Sequence, residues 1–383
     1  MEYKKLGDIA TYINGYAFKP EQRGSEGLPI IRIQDLTGNA YDLGYYNGDY
    51  PKKVELNDGD VLISWSASLG VYLWNRGKAL LNQHIFKVVF DKVEIDKFYF
   101  MYVVEYNLDK MSLKTHGATM KHITKKDFDN VVIPYPDLDY QKEVAYRLTS
   151  LKGIIEKYQK QLDLLDELIK ARFVEMFGDP MINPYEWKII NISEVLRAKA
   201  SNGFFSRRDD YCDDGNVKVL GVANVVNRMY SQVVDLPRTN ANEKDIEKFE
   251  VKYGDMLFCR SSLVAEGIGK ASIIPEGVQT NILFECHVIR LPLDLDKCVP
   301  EFLQTLSTTK FFRNQIISKS KTATMTTIGQ DGILKTNIIL PPLEKQKEYY
   351  NFVKQIDKSR SRIQKSLEAS QELFDSLMQE YFG

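Results

Sequence analysis

Two stretches of this chain combine cations with a complete lack of acids, which is what contact with a polyanion asks for. Between Lys110 and Lys126 stand five lysines (Lys110, Lys114, Lys121, Lys125, Lys126) and two histidines (His116, His122) without a carboxylate. Between Phe302 and Gln330 stand Lys310, Arg313, Lys319 and Lys321, again without one. A formal net charge of −1 argues against a surface that is basic throughout and leaves room for local basic faces. Catalytic chemistry is harder to find. The four histidines, His84, His116, His122 and His287, keep no metal-ligand spacing. His84 and His287 do share a setting, QHIF and CHVI, which favours a structural or binding role over catalysis. Gly269-Lys270-Ala271 looks like the end of a phosphate loop, but the upstream glycine is missing and no hydroxyl residue directly follows the lysine. Asn183-Pro184-Tyr185 lacks the second proline of a base-methylation motif, and no glycine-rich loop follows a strand where a cofactor would lie. Asp58, Asp60 and Asp255 fall in turn sequences, and turn chemistry accounts for them. Cys212, Cys259, Cys286 and Cys298 form no CxxC pair, so neither a zinc site nor a disulfide framework is indicated.

The elements that position these stretches occur twice. Leu138, Gln141, Lys142, Glu143, Glu167, Leu168, Glu175, Phe177 and Gly178 recur as Leu343, Gln346, Lys347, Glu348, Glu372, Leu373, Glu380, Phe382 and Gly383, a constant shift of 205. Upstream, GDVLIS (Gly59 to Ser64) returns as GDMLFC (Gly254 to Cys259), and ATMKHI (Ala118 to Ile123) as ATMTTI (Ala323 to Ile328). A length of 383 residues exceeds what one core usually holds. Two domains are the natural count, and similar ends around divergent middles suggest a device that reads two different things.

Apolar residues at Val144, Leu148, Leu151, Ile155, Tyr158, Leu162, Leu165 and Ile169 alternate steps of four and three, a heptad seam. The second copy keeps the spacing at Tyr349, Val353, Ile356, Ile363, Leu367, Phe374, Leu377 and Tyr381, interrupted by Arg360 and Ser370. A helix of roughly 38 residues is about 57 Å long and needs a partner, for which the other copy is the simplest choice. Parallel and antiparallel pairings are both open, and the antiparallel one is preferred. The globular segments, 1–137 and 179–342, read as α+β with strands dominating. Strands are expected near Leu28 to Ile33, Val61 to Trp65 and His84 to Phe90, with a helix near Phe98 to Met111. The second set is expected near Val217 to Val222, Met256 to Arg260 and Cys286 to Leu291, with one helix near Pro300 to Ile317. The long helices occupy 138–178 and 343–383. No apolar run approaches the length needed to cross a bilayer, and the start MEYKKLGDIATY lacks the apolar core of a secretory signal, so a cytoplasmic protein without a membrane role is expected.

The whole arrangement resembles the DNA-specificity (S) subunits of type I restriction–modification systems. The likeness is carried by PDLDYQKE (Pro136 to Glu143) and PPLEKQKE (Pro341 to Glu348), by Gly117-Ala118-Thr119 and Thr322-Ala323-Thr324, by the GDVLIS and GDMLFC strands, and by the Phe-Gly that closes each helix. It covers the full chain. The resemblance implies two target-recognition domains joined by a long antiparallel two-helix coiled coil with a pseudo-two-fold internal repeat. It implies a non-catalytic subunit that brings two methyltransferase subunits, and optionally two ATP-dependent restriction subunits, to a bipartite site on double-stranded DNA. S-adenosylmethionine, ATP and Mg would then belong to those partners, and helix length would act as the ruler for an unread spacer. One departure is that Gly117 is matched by Thr322.

Bases are read through side-chain donors and acceptors, while lysine and arginine neutralise phosphate. The DNA-contacting residues expected in the first domain are therefore Lys114, His116, Thr119, Lys121 and His122, followed by Arg32, Gln34, Trp65 and Ser66. In the second they are Lys319, Lys321, Thr324, Arg260 and Ser261, followed by Arg207, Arg208 and Asn224. Rival readings are the specificity subunit of a stand-alone methyltransferase or related phage-defence system, a coiled-coil scaffold for two proteins, and an enzyme acting alone. A reader contacting about six phosphates would show a log–log salt slope near −5, which a scaffold need not.

Overall fold

The computed structural model describes residues 2–38, 42–114 and 123–383, apart from the side chains of 112–114 and 208. The chain divides into two compact units, Met1–Lys160 with Gln364–Gly383, and Gln161–Ile363.

In the first unit, antiparallel strands stand in the order Thr11–Asn14, Ile85–Val89, Val61–Ser64, Gly70–Leu73. Beside them Leu28–Ile31 pairs antiparallel with Tyr45–Tyr46 and parallel with Ala79–Leu81, which also takes Glu55–Leu56. Tyr3–Lys5 and Val132–Pro134 form a separate ribbon. Helix Lys97–Lys114 covers the sheet through Tyr99, Phe100, Val103 and Val104, all buried.

The second unit repeats this order. Its antiparallel strands run Ser201–Asn202, Val288–Pro292, Asp255–Cys259, Ala271–Ile273, and Val217–Leu220 lies between Arg238–Thr239 and a parallel neighbour, Ile282–Phe284. The ribbon is Lys188–Asn191 with Asn337–Leu340. The helix expected from Pro300 to Ile317 is two helices, Pro300–Thr308 and Lys310–Lys319. Thr309 separates them in an extended conformation, ψ 153°, with its hydroxyl accepting from Phe312 N at 3.4 Å. A threonine that caps a new helix start outcompetes continuation of the old one.

The two long helices span Leu138–Phe177 and Leu343–Phe382, 40 residues each, and both are divided between the units. In the first unit Val144, Ala145 and Leu148, from the beginning of one helix, share a core with Met378 and Phe382 from the end of the other. In the second, Ile169, Phe173 and Phe177 share a core with Tyr349 and Val353. Beginning meets end in each unit, so the pairing is antiparallel in both. Arg360, which interrupts the second seam, is ion-paired with Asp166.

Three repeated sequence features acquire a physical reason. Gln141 is buried, donates to Pro136 O (2.8 Å) and accepts from Asp96 N (2.9 Å). Gln346 is buried, donates to Pro341 O (2.8 Å) and accepts from Val299 N (2.9 Å). One side chain thus ties the start of each long helix to the start of the helix that covers the sheet, satisfying backbone groups that helix ends leave open. The Phe of each closing Phe-Gly is buried in its own unit, Phe177 against Phe302 (centroids 4.9 Å) and Phe382 against Tyr99 (5.4 Å). Gly15 and Gly203 lie where a Cβ would come within 2.0 Å of Asn82 O and 2.2 Å of Glu285 O, so the strand can pass there only without a side chain.

Candidate nucleic-acid interface

In the second unit the strand Asp255–Cys259 delivers Arg260 and Ser261 to its outer end, where a small ladder begins. Ser261–Ser262 pairs with Thr326–Thr327, which pairs in turn with Lys321–Thr322. Ile328 N donates to Arg260 O (3.1 Å) and Arg260 N donates to His287 O (2.8 Å), so three separate segments converge on one residue. The Arg260 guanidinium reaches Cys286 O at 3.3 Å. Ser261 Oγ and His287 Nδ1 are 3.0 Å apart. Such a pair suits nucleophile activation when a third group orients the ring. Among the described residues no carboxylate hydrogen-bonds the other ring nitrogen, and the two groups are better placed to present a hydroxyl and an imidazole edge.

Four of the expected contact residues, Arg260, Ser261, Lys321 and Thr324, are therefore gathered on this ladder, with Lys321 and Thr324 exposed. Lys319 is engaged elsewhere: its ammonium donates to Lys335 O (2.7 Å) and Thr336 Oγ1 (3.3 Å), and burial lowers its pKa. Asn224 is a capping residue, its Oδ1 accepting from Gly221 N at 3.0 Å. Arg207 is exposed at the head of the turn Arg208–Asp210, and the Arg208 side chain lies outside the described residues.

In the first unit the strand Val61–Ser64 delivers Trp65 and Ser66 to the matching place. Ile123 N donates to Trp65 O (3.0 Å) and Trp65 N to His84 O (3.4 Å), the same backbone pattern as around Arg260. The indole stacks on Phe86, centroids 5.5 Å apart, and meets His84 edge-on at 5.1 Å. Ser66 is buried. Arg32 is held by Asp35, Nε to Oδ2 3.1 Å, and by Asp42, with only 12% of its side chain exposed. The hydrogen bond to Asp35 raises the guanidinium pKa. Gln34 is half-buried on the same short helix, Ile33–Leu36. Lys114 ends helix Lys97–Lys114, but its side chain, like His116, Thr119, Lys121 and His122, lies outside the described residues.

Sequence reasoning left His287 out of the contact set although its setting had been matched to that of His84. It also gave no place to Leu263, Val264 and Met325, apolar residues that stand exposed just beyond the ends of the ladder strands. Among the described residues no group of His, Cys, Asp and Glu is arranged to hold a metal ion, and no helix is long and apolar enough to cross a membrane.

Comparison with known proteins gives a consistent result. The sequence model of the family described as "Type I restriction modification DNA specificity domain" matches residues 1–165 and 184–371. The specificity subunit of the type I restriction enzyme EcoBI from Escherichia coli is 22% identical over 94% of this chain and 80% of its own length. The MjaVIII specificity subunit of Methanocaldococcus jannaschii is 24% identical, covering 93% and 86%. Among solved structures, the type I S subunit from M. genitalium superposes with a TM-score of 0.57 at 12% identity, covering all of this chain and 96% of that one. A chain from a study of type I complex assembly and conformational transition gives 0.54 at 14% identity, covering 99% and 97%. At such identities the structural likeness speaks for the fold.

Proposed function

As this chain belongs to the type I restriction modification DNA specificity family, matched in two segments, we propose that it is the DNA-reading subunit of a restriction–modification complex. Each unit reads one half of a bipartite, asymmetric target. The observation that carries this reading is the doubling with divergence. Strand order, the Gln141 and Gln346 ties and the backbone bonds at Trp65 and Arg260 are the same in both units, while the side chains at the outer strand ends differ. Two equal scaffolds with unequal edges suit two unequal half-sites.

The chain itself binds and performs no bond chemistry. S-adenosylmethionine is assigned to two methyltransferase subunits, and ATP and Mg to two restriction subunits where the system has them, all in the cytoplasm. Apolar side chains left outside on the long helices support protein docking there: Tyr146 and Ile154 in the first unit, Leu164, Leu168 and Val174 in the second.

The test is recovery of the tagged full-length chain from its host, identification of bound proteins by mass spectrometry, and mapping of methylated bases with and without the gene. A co-purifying methyltransferase and loss of one bipartite methylated motif are expected. An unchanged methylome, with unrelated proteins bound, would transfer the assignment to a protein scaffold.

A further inference from the structure

The outer end of the second unit's ladder carries an apolar tip that its own fold does not bury. Ser261 pairs with Thr327 and Ser262 with Thr326, and the ladder ends there, with Leu263 following the one strand and Met325 preceding the other. Leu263 is 82% exposed, Val264 58% and Met325 38%. At the place of Leu263 the first unit has Ser68, in the run Trp65-Ser66-Ala67-Ser68 that matches Arg260-Ser261-Ser262-Leu263, so the repeated scaffold does not itself require an apolar residue there. The flanks are polar: Lys321 and Thr322 on the far strand, Ser261 bonded to His287 at the base, and Glu266 on the turn Ala265–Gly267 that follows.

Resting on the DNA-reading function above, the chemistry of base edges narrows what such a tip can recognise. In the major groove the edges present donors and acceptors, with one apolar group, the 5-methyl of thymine. We propose that Leu263, with Met325 beside it, packs on a thymine methyl in the half-site read by the second unit and so selects thymine at that position. Lys321 and the hydroxyls on the same ladder hold the register against phosphate and sugar.

The probe is deoxyuridine, which removes the methyl and leaves every hydrogen-bonding group in place. The full chain with its methyltransferase partner is titrated against its mapped target and against duplexes in which each thymine in turn is replaced by deoxyuridine. One position is expected to bind about fourfold more weakly, the transfer value of one methyl-sized group. The Leu263→Ser and Met325→Ser chains should bind the unmodified target about as weakly as the wild type binds that deoxyuridine duplex, lose the difference at that position, and keep the wild-type Tm, since both residues are solvent-exposed. A target whose duplex binding is indifferent to every deoxyuridine, or whose sensitivity persists in Leu263→Ser, overturns the contact and leaves DNA reading intact. Failure of the complex to bind any duplex would instead remove the function on which the contact depends.

Discussion

At the end of its central strand the first unit places Trp65 flat against Phe86, and the second places Arg260 against the carbonyl of Cys286. A parallel contrast occurs one sheet away. Arg32 and Asp35 close a short turn by an ion pair in the first unit, where the second closes the same turn with Gly221 N on Asn224 Oδ1. The backbone bonds are shared and the side chains are not. The lesson is that main-chain hydrogen bonds and a few buried residues define the scaffold, which frees the edge positions to take whatever chemistry a target demands.

The largest test of this equivalence lies at the helix ends. Phe177→Ala and Phe382→Ala each remove a buried ring from one unit's core and should destabilise it by about 3–5 kcal/mol in denaturant titrations. A loss confined to one variant would break the symmetry of the two cores.

Glu301 sharpens a difference instead. It is 1% exposed, Tyr230 OH donates to its Oε1 at 3.3 Å, and burial pushes its pKa from 4.5 up to about 7. Phe98 holds the matching place in the first unit, two residues after Asp96 as Glu301 stands two after Val299. Because the folded-state pKa lies above the unfolded one, the fold prefers the protonated acid. Its contribution is whole below about pH 4.5 and is lost as pH rises through about 7. The second unit should therefore lose on the order of 3 kcal/mol relative to the first between these limits, and Glu301→Gln should flatten that dependence.

Smaller in effect, Gln346→Leu should cost about 2 kcal/mol by leaving a buried carbonyl and amide unmet, and Gln141→Leu less, because its partners Pro136 and Asp96 are only half-buried. Smallest is Lys321→Ala, which should shallow the log–log salt slope of duplex binding by about one if the lysine meets phosphate. An unchanged slope would take Lys321 off the interface.

The heptad seams and the doubled order of strands and helices were legible because periodicity and repetition are local properties of a sequence. Buried Val144, Leu148 and Ile155 stand on the seam as read. The break at Thr309 was not read, although Ser307-Thr308-Thr309 is a cap signal, because the surrounding apolar spacing suits one helix as well as two. At the site, Arg260, Ser261 and Lys321 come together through a ladder formed by segments about 60 residues apart, and nothing in either segment alone announces the other. The ties of Arg32 to Asp35 and of Lys319 to Lys335 O were likewise invisible to a search for free cations. A side chain's partner depends on the fold.

The division of the two long helices has a consequence for synthesis. The second unit is one continuous stretch, Gln161–Ile363, whereas the first is finished only by Gln364–Gly383. A ribosome working from the amino end makes the first unit's sheets early and delivers Phe374, Met378 and Phe382, which close its core, more than 200 residues later. Until then Tyr99, Val144 and Leu148 lack part of their cover, an interval in which chaperones or aggregation can act. A released chain truncated after Ile363 should thus hold a protease-resistant second unit and a first unit still open to cleavage.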